Sequence, residues 1–219
     1  MPEPRARERI LARLRAAPRD IPPRPETAAL PAAAPAPEAA AALEAALTAM
    51  RAEVHRLPRG RWAEELRERL SGRGLSELIY RPGAPWAPEI EKAWAQAAEA
   101  APRLLAWEGD IEGFRERLFS AAAGITAAAA AAADPGVLLL RPGPEEPRLL
   151  SLVPPAHVVL VPAERIHPTL EDALAAGSFA PPLPANLVLV SGPSKTADIE
   201  LTLAFGVHGP RELLVFILE

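Results

Sequence analysis

The run Leu187-Val188-Leu189-Val190 carries no polar residue. Side chains of a strand point alternately to its two faces, so a strand of this kind is apolar on both. A strand covered on both sides belongs to a parallel sheet flanked by helices. The neighbouring segments suit that requirement: residues 157–161 and 213–218 read as strands, and residues 169–176 and 197–205 as helices. The repeated β-α-β order predicts an α/β domain of three layers around a parallel-rich sheet.

Upstream, residues 38–50 read as an alanine-rich helix with Leu43, Leu47 and Met50 on one face. Residues 62–70 form a second helix, ended by Gly72 and Gly74. Pro88 opens a third, running to about residue 100. Residues 53–57, 78–80 and 103–107 are strand candidates, and a helical turn follows at 111–115. Residues 118–123 read as extended. The alanines of 127–133 have the highest intrinsic helix propensity, so a helix is expected there, stopping before Pro135. Residues 137–140 and 149–153 look like a hairpin around Arg141-Pro142-Gly143-Pro144.

Residues 1–37 differ in character. Residues 4–17 predict a short helix with Ile10, Leu14 and Ala17 on one face and arginines around the rest. A helix of that length is marginal alone and should dock on its own domain or on a second copy in a homodimer. Residues 18–37 contain seven prolines and read as a linker of polyproline character. The expected division is therefore 1–37, helix and linker, and 38–219, the α/β domain. The extension carries a net charge of +3 and the remainder −7.

Composition excludes several functions. The 219 residues contain no cysteine, so this chain holds no disulfide, thiolate zinc site, cysteine nucleophile or cysteine-ligated cluster. The net charge of −4 disfavours non-specific nucleic-acid binding. Arg13 and Arg15 interrupt any apolar leader segment, and the alanine-rich run from Ala121 to Ala133 is too short and weakly apolar to span a bilayer. A soluble cytoplasmic protein is expected.

The most informative segment is Ser191-Gly192-Pro193-Ser194-Lys195-Thr196-Ala197-Asp198-Ile199-Glu200. It follows the apolar run and opens the expected helix at 197. That is the carboxyl end of a strand, where α/β proteins usually bind ligands. Gly192 permits close approach of a ligand, and Ser194 or Thr196 can cap the helix. Free amides at the helix start, with Lys195 beside them, suit a small anion. Asp198 and Glu200 oppose that reading, because carboxylates there offset the same positive potential. A capped, acid-started helix with a lysine on its rim remains the alternative. The first glycine of a Walker loop would fall at Val188 or thereabouts, where this chain has none.

Other residues carry less. His208, between two glycines and a proline, fits a turn at the far end of that helix, which would separate it from Lys195. His157 follows two prolines and reads as a structural histidine or a ligand contact. His55 and His167 read as surface or turn residues. No HxH or HExxH spacing supports a metal site, and no GxSxG elbow supports a serine hydrolase. Of the four tryptophans, Trp86, between Pro85 and Pro88, is the expected exposed partner contact.

Several stretches carry a resemblance. SGPSKTADIE at 191–200 and GVHGPRELLVFILE at 206–219 resemble the C-terminal signature of the LUD-domain family. Arg148-Leu149-Leu150-Ser151-Leu152-Val153-Pro154-Pro155-Ala156-His157, Gly124-Ile125-Thr126 and the N-terminal RERILARLRAA are similar to further family elements. The likeness covers the whole chain and is closest to the family's lactate-utilization members. It implies a fold of the NagB/RpiA/CoA transferase-like type and adds Gly124 and Thr126 to the candidate ligand contacts. It also implies an accessory role, with two iron–sulfur partner proteins, in oxidising L-lactate to pyruvate. The clusters would then sit on the partners, with no cofactor on this chain. It assigns no catalytic residue. After Gly124-Ile125-Thr126 the family continues to an acid-Thr-Gly-Ser/Thr turn, whereas this chain has Asp134-Pro135-Gly136-Val137, without either hydroxyl. Two other readings therefore stand beside the first. One is a stand-alone enzyme or binder for a phosphorylated or CoA-linked metabolite. The other is a scaffold with a vestigial pocket.

Overall fold

The computed structural model describes residues 6–17, 38–96, 101–176, 184–197, 203–205 and 208–219. The first half runs α1 (Ala6–Ala16), α2 (Ala39–Ala49), β1 (Glu53–Leu57), α3 (Trp62–Gly72), β2 (Glu77–Tyr80), α4 (Ala87–Ala95), β3 (Arg103–Ala106) and α5 (Ile111–Ser120). The second half is richer in strand: β4 (Ala123–Ala127), β5 (Ala130–Asp134), β6 (Val137–Leu140), β7 (Ala156–Pro162), β8 (Ile166–Thr169) and α6 (Leu170–Ala175). It closes with β9 (Val188–Val190), β10 (Lys195–Ala197), β11 (Leu203–Phe205) and β12 (Glu212–Leu218).

Six strands form one sheet in the order β1-β12-β7-β4-β2-β3, and every pairing in it is parallel. Its strands are apolar on both faces. Leu214 and Phe216 of β12, Val158 and Leu160 of β7 and Ile125 of β4 pack against Trp62, Leu66 and Leu70 of α3 and Ile90 of α4. The alternate residues, Val215, Ile217, Val159 and Val161, pack the other way, against Leu43 and Leu47 of α2 and Leu138 and Leu140 of β6. The architecture is thus the expected three-layer α/β domain. The continuous apolar pattern of a doubly covered parallel sheet belongs to β7 and β12.

A second sheet, β8-β5-β6-β9, covers part of the α2 face. It is mixed: β5 pairs parallel with β8 and antiparallel with β6, and β6 pairs antiparallel with β9. Ala130 and Ala132 face Ala173 of α6, while Ala131 and Ala133 face the α2 side. This corrects the helix expected at 127–133. Alanine is a strong helix former, but these four residues are sandwiched between two helical layers, where a methyl group is the side chain that fits.

Three further expectations change. The strand at 187–190 lies at the edge of the second sheet, with Leu189 49% exposed, and is not a strand of the parallel sheet. No hairpin joins 137–140 to 149–153: β6 pairs with β5 and β9, and Arg148–Ser151 is a 3-10 turn. The turn expected at 111–115 extends through Ser120, with Asp110 capping α5 by accepting from the Gly113 amide at 3.0 Å. No residue of α1 is buried, and Ile10 and Leu14 are exposed. The linker at 18–37 lies outside the described residues.

Candidate functional site

In the six-stranded sheet, β2 and β4 are neighbours whose connections leave in opposite directions. From β2 the chain moves outward to β3; from β4 it moves inward to β7 and then β12. Such a reversal leaves a crevice beyond the carboxyl ends of the strands, the usual ligand position in open α/β sheets. A cavity of about 360 Å³ occupies this place. Trp86 comes from the loop after β2, Ala127 ends β4, and Leu218 ends β12. Arg165 follows β7, and Arg141 and Glu146 come from the proline-rich loop after β6.

Glu146 is the chemically distinctive group. Its Oε1 accepts a hydrogen bond from Trp86 Nε1 at 2.8 Å, and the Ala127 amide lies 3.3 Å from both of its oxygens. Burial pushes its pKa up to about 7, the Trp86 and Ala127 bonds pull it back, and Glu145 pushes it up further. A carboxyl poised there holds or releases a proton near neutrality, the property expected of a functional acid or base. The charged neighbours lining the cavity are Arg59, Glu89, Arg141, Glu145 and Arg165. Arg59 is paired with Glu164, and Glu89 accepts from Trp62 Nε1 at 2.6 Å. Among the described residues, neither Arg141 nor Arg165 forms an ion pair.

The residues singled out by sequence lie elsewhere. Lys195 and Thr196 belong to β10, which pairs antiparallel with β11, so no helix starts at 197. The helix start expected to hold an anion is therefore replaced by a strand. β-Branched Thr196 favours extension over a helix. Asp198 and Glu200 lie outside the described residues.

Ser191, Gly192, Ser194 and His208 line a pocket of about 220 Å³ with His157 and Ser151. It sits at the amino ends of β7 and β12, opposite to the end expected for this segment. His208 and Ser191 line the same pocket, correcting their expected separation; the described residues between Lys195 and Phe205 are the paired strands β10 and β11. The Ser194 amide donates to the Pro210 carbonyl at 2.8 Å and ties the two turns together. Lys195 is exposed. At Gly192 a Cβ would lie 2.9 Å from the Met50 carbonyl oxygen, so the glycine serves a close backbone approach.

Gly124, Thr126 and His157 are interior. A Cβ on Gly124 would meet the Leu150 carbonyl oxygen at 2.5 Å. Thr126 Oγ1 and His157 Nε2 share a hydrogen bond of 2.9 Å, and burial lowers the His157 pKa to about 3. That histidine is neutral. Trp86 is not an exposed contact: it is 8% exposed and packs edge-on against Trp62 at 6.4 Å. His167, expected at the surface, is buried on β8, and His55 is half-buried beside Phe216.

Glu146, Arg141 and Arg165 belong to no motif in the sequence. A signal was present. Arg141-Pro142-Gly143-Pro144-Glu145-Glu146-Pro147 is a stiff, charged loop directly after an apolar strand, and function concentrates on loops held by a scaffold.

Comparison with known proteins bears on the family. The LUD domain model matches residues 40–218. An uncharacterized protein of Neisseria meningitidis serogroup B is 36% identical over 174 residues, 78% of this chain and 73% of that protein. Lactate utilization protein C of Bacillus licheniformis is 28% identical over 159 residues, covering 69% of this chain, and that of an Exiguobacterium species is 32% identical over 151 residues, covering 65%. The alignment spans 60% of the length of each of these two relatives. A crystal structure of a DUF162 family protein from Deinococcus radiodurans superposes with a TM-score of 0.61 at 22% identity, covering 83% of this chain and 97% of that one, and shares the fold. With the family model matching from α2 to β12, the chain belongs to the LUD domain family.

Proposed function

We propose that this chain is an accessory subunit of a cytoplasmic L-lactate-oxidising system that yields pyruvate together with iron–sulfur proteins. The observation that carries the reading is the family match over residues 40–218 together with similarity to proteins named lactate utilization protein C. Because the alignment spans 60% of those relatives, the substrate and the partners are part of the proposal. The absence of cysteine supports a division of labour in which other subunits carry the clusters. Kinship of the fold with sugar-phosphate isomerases and CoA transferases belongs to the same reading.

Deleting the gene in a host with no other lactate dehydrogenase tests it. Loss of growth on L-lactate, restored by the intact gene, is the expected result, and the tagged chain should co-purify with two cysteine-rich proteins. Normal growth on L-lactate after deletion overturns the role.

A second reading is a stand-alone binder or enzyme for an organic anion. The cavity flanked by Arg141 and Arg165 favours it. In that case growth on lactate is unaffected while the purified chain binds its ligand. A scaffold with a vestigial pocket instead predicts a growth defect that variants of the cavity residues do not reproduce.

A further inference from the structure

A second cavity, of about 480 Å³, adjoins the one at the carboxyl ends and shares Ala129, Arg141 and Arg165 as walls. His167 lines it, 7% exposed, and its Nδ1 has no hydrogen-bond partner among the described residues. A buried polar atom without a partner is costly and asks for an explanation such as a bound molecule. Two arginines without ion pairs stand between this histidine and the Trp86–Glu146 pair.

We propose that these two cavities form one binding site for an organic anion of metabolite size. Its carboxylate or phosphate sits between Arg141 and Arg165, and its uncharged body lies against Trp86 with an oxygen at the Glu146 carboxyl. Guanidinium groups suit both kinds of anion because their planar forks match two oxygens at once. The body of the ligand meets an apolar wall made by Trp86, Ala127 and Leu218. Apolar walls with a few convergent polar groups are the usual form of a small-molecule site.

The position of Glu146 gives the site a pH response. When protonated it donates to a ligand oxygen; when ionised it repels the anion. With its pKa near 7, the affinity falls as pH rises through neutrality. Of the other charged groups lining the two cavities, Glu145, Glu89 and Glu164 add repulsion, Arg59 is paired with Glu164, and Arg141 and Arg165 attract the ligand at every working pH.

The site stands on the geometry of the cleft, so its test is separate from growth on lactate. Four probes are titrated into the purified full chain by calorimetry and thermal shift: pyruvate, L-lactate, glycerol phosphate and inorganic phosphate. The expected result is binding of at least one carboxylate or phosphate ester, more tightly than inorganic phosphate. Pyruvate or lactate identifies a carboxylate site, and glycerol phosphate a phosphate-ester site. Removing both guanidinium groups in Arg141→Ala/Arg165→Ala should weaken binding by about tenfold or more. Arg115→Ala on α5 is the control and should change nothing. Glu146→Gln keeps a donor and should bind equally well on both sides of pH ~7, where the wild type loses affinity.

The inference is overturned if no probe binds at millimolar concentration, if inorganic phosphate alone binds, or if binding survives loss of both arginines. Loss of binding in the Arg115→Ala control would show non-specific charge attraction and also overturn it. A Glu146→Gln variant that keeps the wild-type pH dependence removes Glu146 from the site.

Discussion

Trp86 Nε1 lies 2.8 Å from Glu146 Oε1, joining the residue just before α4 to a loop sixty residues further along the chain. The bond closes one wall of the carboxyl-end cavity. It also fixes the orientation of the one acid in the cavity whose proton is exchanged near neutrality. A hydrogen bond to an ionised acceptor is worth about 1.5–3 kcal/mol and a neutral one about 0.5–1.5. Trp86→Phe should therefore destabilise the protein more above pH ~7 than below it, beyond a packing loss common to both. Urea denaturation of the variant and wild type on each side of neutrality measures the difference; a cost independent of pH would rule out a bond to the ionised form.

Glu146 and His157 act on stability with opposite signs. The Glu146 pKa is raised from 4.5 to about 7, so its stabilising contribution is full below 4.5 and is lost as pH rises through about 7. The His157 pKa is lowered from 6.5 to about 3. Unfolding therefore takes up a proton between those values, and stability rises with pH across that window. Glu146→Gln removes the first dependence. It should make the protein more stable than wild type at pH ~8 by roughly 1–3 kcal/mol, nearer the lower figure because Glu146 is partly exposed to screening solvent. Chemical denaturation across that pH range checks it, and an unchanged gap between the two proteins at all pH values would contradict the raised pKa.

Thr126 and His157 form a buried pair beneath the amino-end pocket. Thr126→Val preserves shape and leaves the imidazole nitrogen without its partner. The expected cost is about 1–3 kcal/mol in unfolding free energy. The histidine should remain neutral between pH 5 and 8, as read from its imidazole chemical shifts; a titration inside that interval would place it in contact with water.

Gly124 tests whether its role is packing. An added methyl would meet the Leu150 carbonyl oxygen at 2.5 Å and Pro154 Cγ at 3.0 Å. Gly124→Ala should cost about 1–3 kcal/mol through overpacking. The expected readout is a lower melting temperature with anion binding at the opposite end of the sheet intact. A variant of wild-type stability that no longer binds the probe would instead make Gly124 a ligand contact.

The fold was legible where both faces of a segment announce themselves. The apolar run at 187–190 leads to the three-layer arrangement although it is an edge strand of the second sheet; the doubly covered strands are β7 and β12. It was not legible where context overrode local preference. Ala130, Ala131, Ala132 and Ala133 are strong helix formers, yet the space between α2 and α6 makes them a strand. Lys195 and Thr196 pair in a two-stranded sheet, so the amides expected to point outward from a helix start are not arranged that way. The candidate site was hidden for a different reason. Trp86, Ala127, Glu146 and Arg165 are scattered along the chain, and only the strand order β7-β4-β2 brings their loops together. Glu146 looks in sequence like one of two ordinary loop glutamates; its raised pKa comes from burial, which outweighs the opposing hydrogen bonds from Trp86 and Ala127.

The position of β12 has a consequence for how the protein is made. Its seven residues lie between β1 and β7, paired with β7 from Glu212↔Ala156 to Leu218↔Pro162. Of the six strands, the last in chain order is therefore an interior one. Until it arrives, a nascent chain holds β1 and β7 with unfilled flanks, and the domain closes only through contacts between its two ends. Such distant pairings fold slowly and leave sticky intermediates. Losing the few residues before position 218 would thus take out a middle plank and leave β1 with nothing to lean on.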